Sequence, residues 1–179
     1  MQLTHSHGAV ITFTPDLHRT HTQSAATFSD DGRYRYLLTA RWGEGPLLGL
    51  IGLKPSTVRA HRGAGSERWC RAFARSRGFA GYTEANLYAR LSTDPKHLGE
   101  LSDPVGPDDD AFIDQMAATH DIIVFAWGGN ADPARARAVA SRVWHQCGRR
   151  GGTVAVLGWT VNEQPIHPCT RRASPLCKP

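Results

Sequence analysis

The sequence predicts one α/β domain, a mostly parallel central sheet with helices on both faces in a three-layer α/β/α arrangement. Three observations predict it. Short apolar runs alternate with longer stretches whose apolar residues recur at helical spacing. Several of the runs are nearly continuous, as in strands buried on both faces. The polar, Gly- and Pro-containing segments follow the runs, where open α/β sheets carry their ligands.

Taken in order, residues 1–30 are rich in His, Thr and Ser and read as an N-terminal arm, flexible or contributing an edge strand over Ala9–Phe13. Residues 31–179 read as the single α/β domain. His5, His7, His18 and His21 lie in the arm without a Cys or carboxylate cluster, so no metal site is expected there. Arg33–Trp42 and Leu47–Leu53 read as a strand pair turned at Glu44-Gly45-Pro46. Ser66–Arg77 reads as a helix burying Trp69, Cys70, Phe73 and Ala74, with Arg68, Arg71 and Arg75 outward and Gly78 as its stop.

Thr83–Tyr88 is a short strand, and Asp94–Pro107 a loop longer than compact domains usually carry. Asp108-Asp109-Asp110 opens a helix to Thr119, acidic where the dipole is positive. Ile122–Ala126 is a buried strand ending at Trp127-Gly128-Gly129-Asn130. Asp132 caps a helix over Pro133–Arg149, with Pro133 at its first position. Thr153–Leu157 is the last strand. With Leu47–Leu53, Thr83–Tyr88 and Ile122–Ala126 it is expected inside the sheet.

The bulk composition narrows the function classes. A chain of 179 residues is long enough to bury one substantial core. No apolar run approaches the roughly 20 residues that cross a bilayer, and no basic segment leads into an apolar one at the N-terminus. A cytoplasmic protein without a membrane partner is therefore expected. Lys and Arg number 21 against 16 Asp and Glu, a net charge of +5, which favours a nucleic acid or nucleotide as partner. An Arg-preferring composition alone is the plainer account of that excess. The four cysteines form no Cys-x-x-Cys pair, and Cys70 and Cys147 fall on apolar helix faces. No disulfide framework, cofactor or obligate protein partner is evident.

Three segments can carry chemistry. Gly52-Leu53-Lys54-Pro55-Ser56-Thr57 follows the buried strand with a glycine for close approach, a stiffening proline, hydroxyls and a cation. It suits a phosphate or a water, although it lacks P-loop spacing. Asn86 ends the next strand, followed by Arg90 and Asp94, and its amide can read the edge of a nucleobase. His167 stands between Pro165 and Pro168, placed to donate to a developing anion. Trp127 is either a stacking surface for a base or a core tryptophan. For each of the three segments the structural alternative is a turn, a loop-satisfying amide or a packed histidine.

The stretches GLKPST, ARSRGFAGY, NLYARLSTDP, DPVGPDDD, AWGG and LGWTVNEQPIHP together resemble an uncharacterised bacterial and phage family, the domain-of-unknown-function family sixteen forty-three. They span roughly residues 33–170. More distantly, the order of elements is similar to the uracil-DNA glycosylase superfamily. That resemblance implies a glycosylase-like fold, with Lys54 standing where a water-positioning Asp or Asn would be. It also implies that Asn86 is the base-reading amide and that His167-Pro168 is the base-polarising pair. Two departures matter: Lys54 is an ammonium, and Cys169 stands where that motif has serine.

The chemistry implied is cleavage of a nucleobase–sugar N-glycosidic bond, in nucleic acid or a nucleotide. Lys54, His167 and Asp94 are its candidate catalytic groups, and Gly52, Pro55, Ser56, Thr57, Asn86, Arg90 and Trp127 its candidate binding residues. Asp103 is a further carboxylate for water activation unless it caps a turn. Lys54 would contact a phosphate or attack the sugar as an amine. A non-catalytic nucleic-acid or nucleotide-binding module, which has lost the water-positioning residue, is the open alternative. Phosphate chemistry at the Lys54 loop is a third reading.

Overall fold

The computed structural model describes residues 10–15, 23–56, 65–91 and 102–168. The elements in chain order are β1 (Val10–Pro15), β2 (Gln23–Phe28), β3 (Arg35–Arg41), β4 (Leu47–Gly52), α1 (Gly65–Ser76), β5 (Gly81–Asn86), α2 (Asp109–Thr119), β6 (Ile122–Phe125), α3 (Pro133–Gly148) and β7 (Thr153–Val156). The strands form one 7-stranded sheet in the order β1-β2-β3-β5-β4-β6-β7.

The sheet is mixed, which corrects the expectation of a mostly parallel one. β5-β4-β6-β7 run parallel, while β1-β2, β2-β3 and β3-β5 are antiparallel pairs. The antiparallel side includes β2, whose sequence QSAATF is small, polar and mostly half-buried, and so carries no periodic signal. Its partner β1 forms the sheet edge.

Two placements also differ from expectation. β3 and β4 do not pair, because β5 inserts between them: Leu38 and Leu50 both sit opposite Glu84. The insertion suits β5, which is buried along nearly its whole length. β7 is an edge rather than an inner strand, in keeping with its partly exposed residues.

Helices cover both faces. Alternation along β4 and β6 sends Leu48, Leu50 and Val124 to one face, where they pack with Cys70 and Ala74 of α1. It sends Ile51, Ile123 and Phe125 to the other, against Ile113 and Met116 of α2 and Val139 and Val143 of α3. Asp132 caps α3 by accepting from the Arg135 N–H at 2.8 Å, with Pro133 in the first turn. At α2, Asp108 makes no side-chain cap bond, and Asp109 and Asp110 instead pair with Arg135 of α3.

The parallel half brings the carboxyl ends of β4 and β5 side by side, with Gly52 opposite Asn86. After β7 the chain folds back on itself. Ile166 donates to the Gly158 carbonyl at 3.0 Å, and the Gly128 N–H donates to the Pro165 carbonyl at 2.8 Å. Trp127 Nε1 reaches Gln164 Oε1 at 2.9 Å. The returning segment is thus tied to the carboxyl end of β6. Among the described residues, no helix is long and apolar enough to cross a membrane.

Candidate functional site

A cleft opens on the α1 face at the carboxyl ends of β4 and β5. Gly52, Lys54, Ser66, Glu84, Asn86 and His167 line it, with Leu50 and Cys70 at its apolar side. It encloses about 350 Å³ counting the open mouth, at the small end of ligand sites of about 300–1,000 Å³. The enclosed part has room for about two water molecules.

Asn86 is 1 % exposed, yet neither its amide nitrogen nor its amide oxygen completes a hydrogen bond within the protein. Leaving such a group unmade costs about 1–3 kcal/mol, so an orphaned amide in a cleft calls for a ligand or a water. Gly52 explains how Asn86 fits: a Cβ there would lie 2.7 Å from Asn86 Oδ1. The glycine of the loop therefore makes room for this amide.

Glu84 stands two residues before Asn86 on the same face of β5. Its carboxylate meets Arg35 Nη2 of β3 at 3.4 Å, and both side chains are nearly buried, 14 % and 8 % exposed. Burial raises the Glu84 carboxyl above its ordinary value, opposed by the Arg35 guanidinium and the nearby Asn86 amide. Arg35 also donates through Nη1 to the Ser56 carbonyl at 3.5 Å, linking the carboxylate to the loop that carries Lys54.

His167 reaches the cleft because the returning segment docks on Gly128. Gly128 has φ +82°, and a Cβ on it would lie 2.9 Å from His167 Cβ. Burial pushes the imidazole below its ordinary range, so at neutral pH it is uncharged and carries one N–H to donate.

Lys54, Asn86, His167 and Gly52 thus share one cleft, although 113 positions separate Lys54 from His167. The other candidates fall elsewhere. Trp127 is 3 % exposed and packs at a tilt against Phe125, ring centroids 4.6 Å apart, in the core of the opposite face, so it offers a base no ring surface. Arg90 packs over the Tyr34 ring at 5.2 Å and donates to its hydroxyl at 3.2 Å, outside the cleft lining. Pro55 is buried behind the loop, and Ser56 contributes a carbonyl to Arg35 rather than a hydroxyl to the cleft. Asp103 caps a turn, accepting from the Gly106 N–H at 2.9 Å. Thr57 and Asp94 lie outside the described residues, as do the four N-terminal histidines. Among the described residues no cluster of His, Cys, Asp and Glu could hold a metal ion.

Glu84 and Arg35 escaped the sequence reading. The signal was present in part: a glutamate inside a buried strand, on the same alternation as Asn86, needs a cation or a ligand.

Residues 35–169 match the family described as Protein of unknown function (DUF1643). The chain belongs to this family. The matched span includes Arg35, Lys54, Glu84, Asn86 and His167, so the cleft is part of the family domain. No curated protein and no solved structure matches the chain.

Proposed function

We propose that this member of the DUF1643 family is a glycosylase-like enzyme that breaks a nucleobase–sugar N-glycosidic bond in nucleic acid or a nucleotide. We propose further that its parallel half is a variant of the uracil-DNA glycosylase arrangement. One observation carries the reading: a fully buried amide with both polar ends unused, in a cleft shared with a neutral histidine and a lysine.

Cleavage sends the bonding electron pair to the base nitrogen while the sugar carbon becomes cation-like and takes up water. The protein must stabilise the charge growing on the base. Asn86 can bind the base edge in a site where hydrogen bonds are strong, and His167 can donate to the departing base. Deleting one such donor typically costs about 10²–10³ in turnover. Lys54, which lines the same cleft, suits the phosphate or the sugar.

Release of free base, from oligonucleotides carrying each ordinary base plus uracil and hypoxanthine and from the matching nucleotides, tests this. Asn86→Ala and His167→Ala should each lower release at least about 100-fold while melting within a few degrees of the parent. Borohydride should trap a Lys54-linked sugar only if the amine, not water, takes the sugar carbon, and Lys54→Arg should abolish that adduct. Binding of a nucleotide without release would favour the non-catalytic module. If the two variants retain full activity, or no nucleotide or nucleic acid binds, the reading fails.

A further inference from the structure

Resting on the nucleobase reading, we infer that the base taken by this cleft is of the guanine type, a 2-amino-6-oxopurine, read jointly by Glu84 and Asn86. Alternation along β5 puts the two side chains on one face, and both line the cleft. Their heads converge on one spot. A point one bond out from Gly52 lies 2.7 Å from Asn86 Oδ1 and 3.9 Å from Glu84 Oε1.

Arg35 and the bound base together decide what that pair takes. A guanidinium keeps its proton in proteins, and this one is nearly buried with Glu84 as its carboxylate partner. Burial alone raises the Glu84 carboxyl, while Arg35 and two N–H donors of a bound base favour its ionised form, which only accepts hydrogen bonds; Asn86 both donates and accepts. The head therefore needs a ligand edge with adjacent N–H donors followed by an acceptor. Guanine presents N1–H and the 2-amino group side by side, then O6. Adenine and cytosine set one amino group beside a ring acceptor. Uracil sets a single N–H between two carbonyls, which would face the carboxylate with a lone pair. In the inferred pairing Glu84 accepts from N1–H and the 2-amino group, and Asn86 donates to O6. This gives the amide the partner it lacks and the carboxylate two further donors.

The experiment is calorimetric titration of the full chain with guanosine, inosine, 1-methylguanosine, adenosine and uridine. Guanosine should bind tightest. Inosine, which lacks only the 2-amino group, and 1-methylguanosine, in which a methyl replaces the N1 hydrogen, should each bind at least about tenfold more weakly, because each leaves a carboxylate oxygen unpaired. Glu84→Gln should reduce the guanosine-to-inosine ratio to below about threefold, each nucleoside still binding. The nucleoside series on the unaltered protein decides the matter even if that variant does not fold. Equal binding of guanosine and inosine, or a preference for uridine or adenosine, overturns the guanine assignment and leaves the nucleobase site standing. Binding of none of the five overturns both.

Discussion

The two faces of the sheet treat their buried polar side chains differently. Between α2 and α3, Arg135 Nη1 and Nη2 engage Asp110 at 2.6 Å and Asp109 at 3.0 Å, and its Nε donates to the Leu87 carbonyl at 2.8 Å. Arg142 continues the ladder to Asp110 and Asp114 at 3.0 and 2.6 Å. Every acid in that ladder has at least one oxygen in a charge-assisted bond, although Asp109 Oδ1 and Asp114 Oδ1 are buried without a partner. On the α1 face Asn86 has none, and the buried Tyr82 hydroxyl has none either. The first arrangement holds two helices together, and the second holds binding capacity open. What separates structure from site here is whether a buried side chain has any partner at all, as each ladder acid does and Asn86 does not.

The largest expected effect lies in the ladder. Arg135→Ala strips the partner from a 0 % exposed Asp109 and from the Leu87 carbonyl. Stranding these two buried groups costs about 1–3 kcal/mol each, measurable by denaturant unfolding. A loss below about 1 kcal/mol would show the ladder to be a solvated surface feature. The same site sets a pH dependence. Burial, the largest influence, holds the Asp109 carboxyl up at about 8 despite Arg135. The folded chain then keeps a proton that the unfolded chain has released. Stability should therefore be fullest below about pH 4 for this group and fall as pH rises toward 8, by up to about 1.4 kcal/mol per pH unit. Asp109→Asn should flatten that slope. An unchanged slope would mean that Asp109 is ionised throughout, with Arg135 outweighing burial.

A middle-sized effect belongs to Gly128. A Cβ there meets His167 Cβ at 2.9 Å and sits on a left-handed backbone at φ +82°. Gly128→Ala should cost about 1–3 kcal/mol and also shift His167, lowering base release by more than the lost stability explains. Gly32 supplies the control. Its φ is +66°, but nothing stands within 4 Å of an added Cβ. Gly32→Ala should show the backbone cost and leave the cleft alone. Equal effects on base release from the two variants would detach His167 from the chemistry.

The sequence reached the parallel half of this fold because its strands are apolar and its helices amphipathic. Leu47–Gly52 and Ile122–Phe125 announce burial on both faces by composition alone. β2 stayed hidden because its small polar residues suit a half-exposed strand and carry no alternation. Strand order was hidden too, since the turn at Glu44-Gly45-Pro46 suggests a hairpin, and only the burial of β5 decides that it enters between β3 and β4. In the site, Asn86, Lys54 and His167 could be placed at one edge by topology. Glu84 could be suspected from its position in the strand. Its pairing with Arg35 needs β3 beside β5, so it was legible only once the strand order was known.

The smallest effect on stability is the most telling. Asn86→Leu replaces the amide with an apolar group of the same branching, at a position that is 1 % exposed. If the amide were satisfied inside the protein, the change would strand its partners and cost about 1–3 kcal/mol. Neither amide atom completes a hydrogen bond by geometry, so the change removes only the pull of the amide on Glu84, and the desolvated amide itself disappears. Stability should stay within about 1 kcal/mol of the parent or rise, while nucleoside binding vanishes. The two measurements together separate the faces: Arg135→Ala loses stability and keeps binding per folded molecule, whereas Asn86→Leu keeps stability and loses binding. A drop of more than about 2 kcal/mol for Asn86→Leu would make Asn86 a structural amide, and the contrast between the faces would collapse.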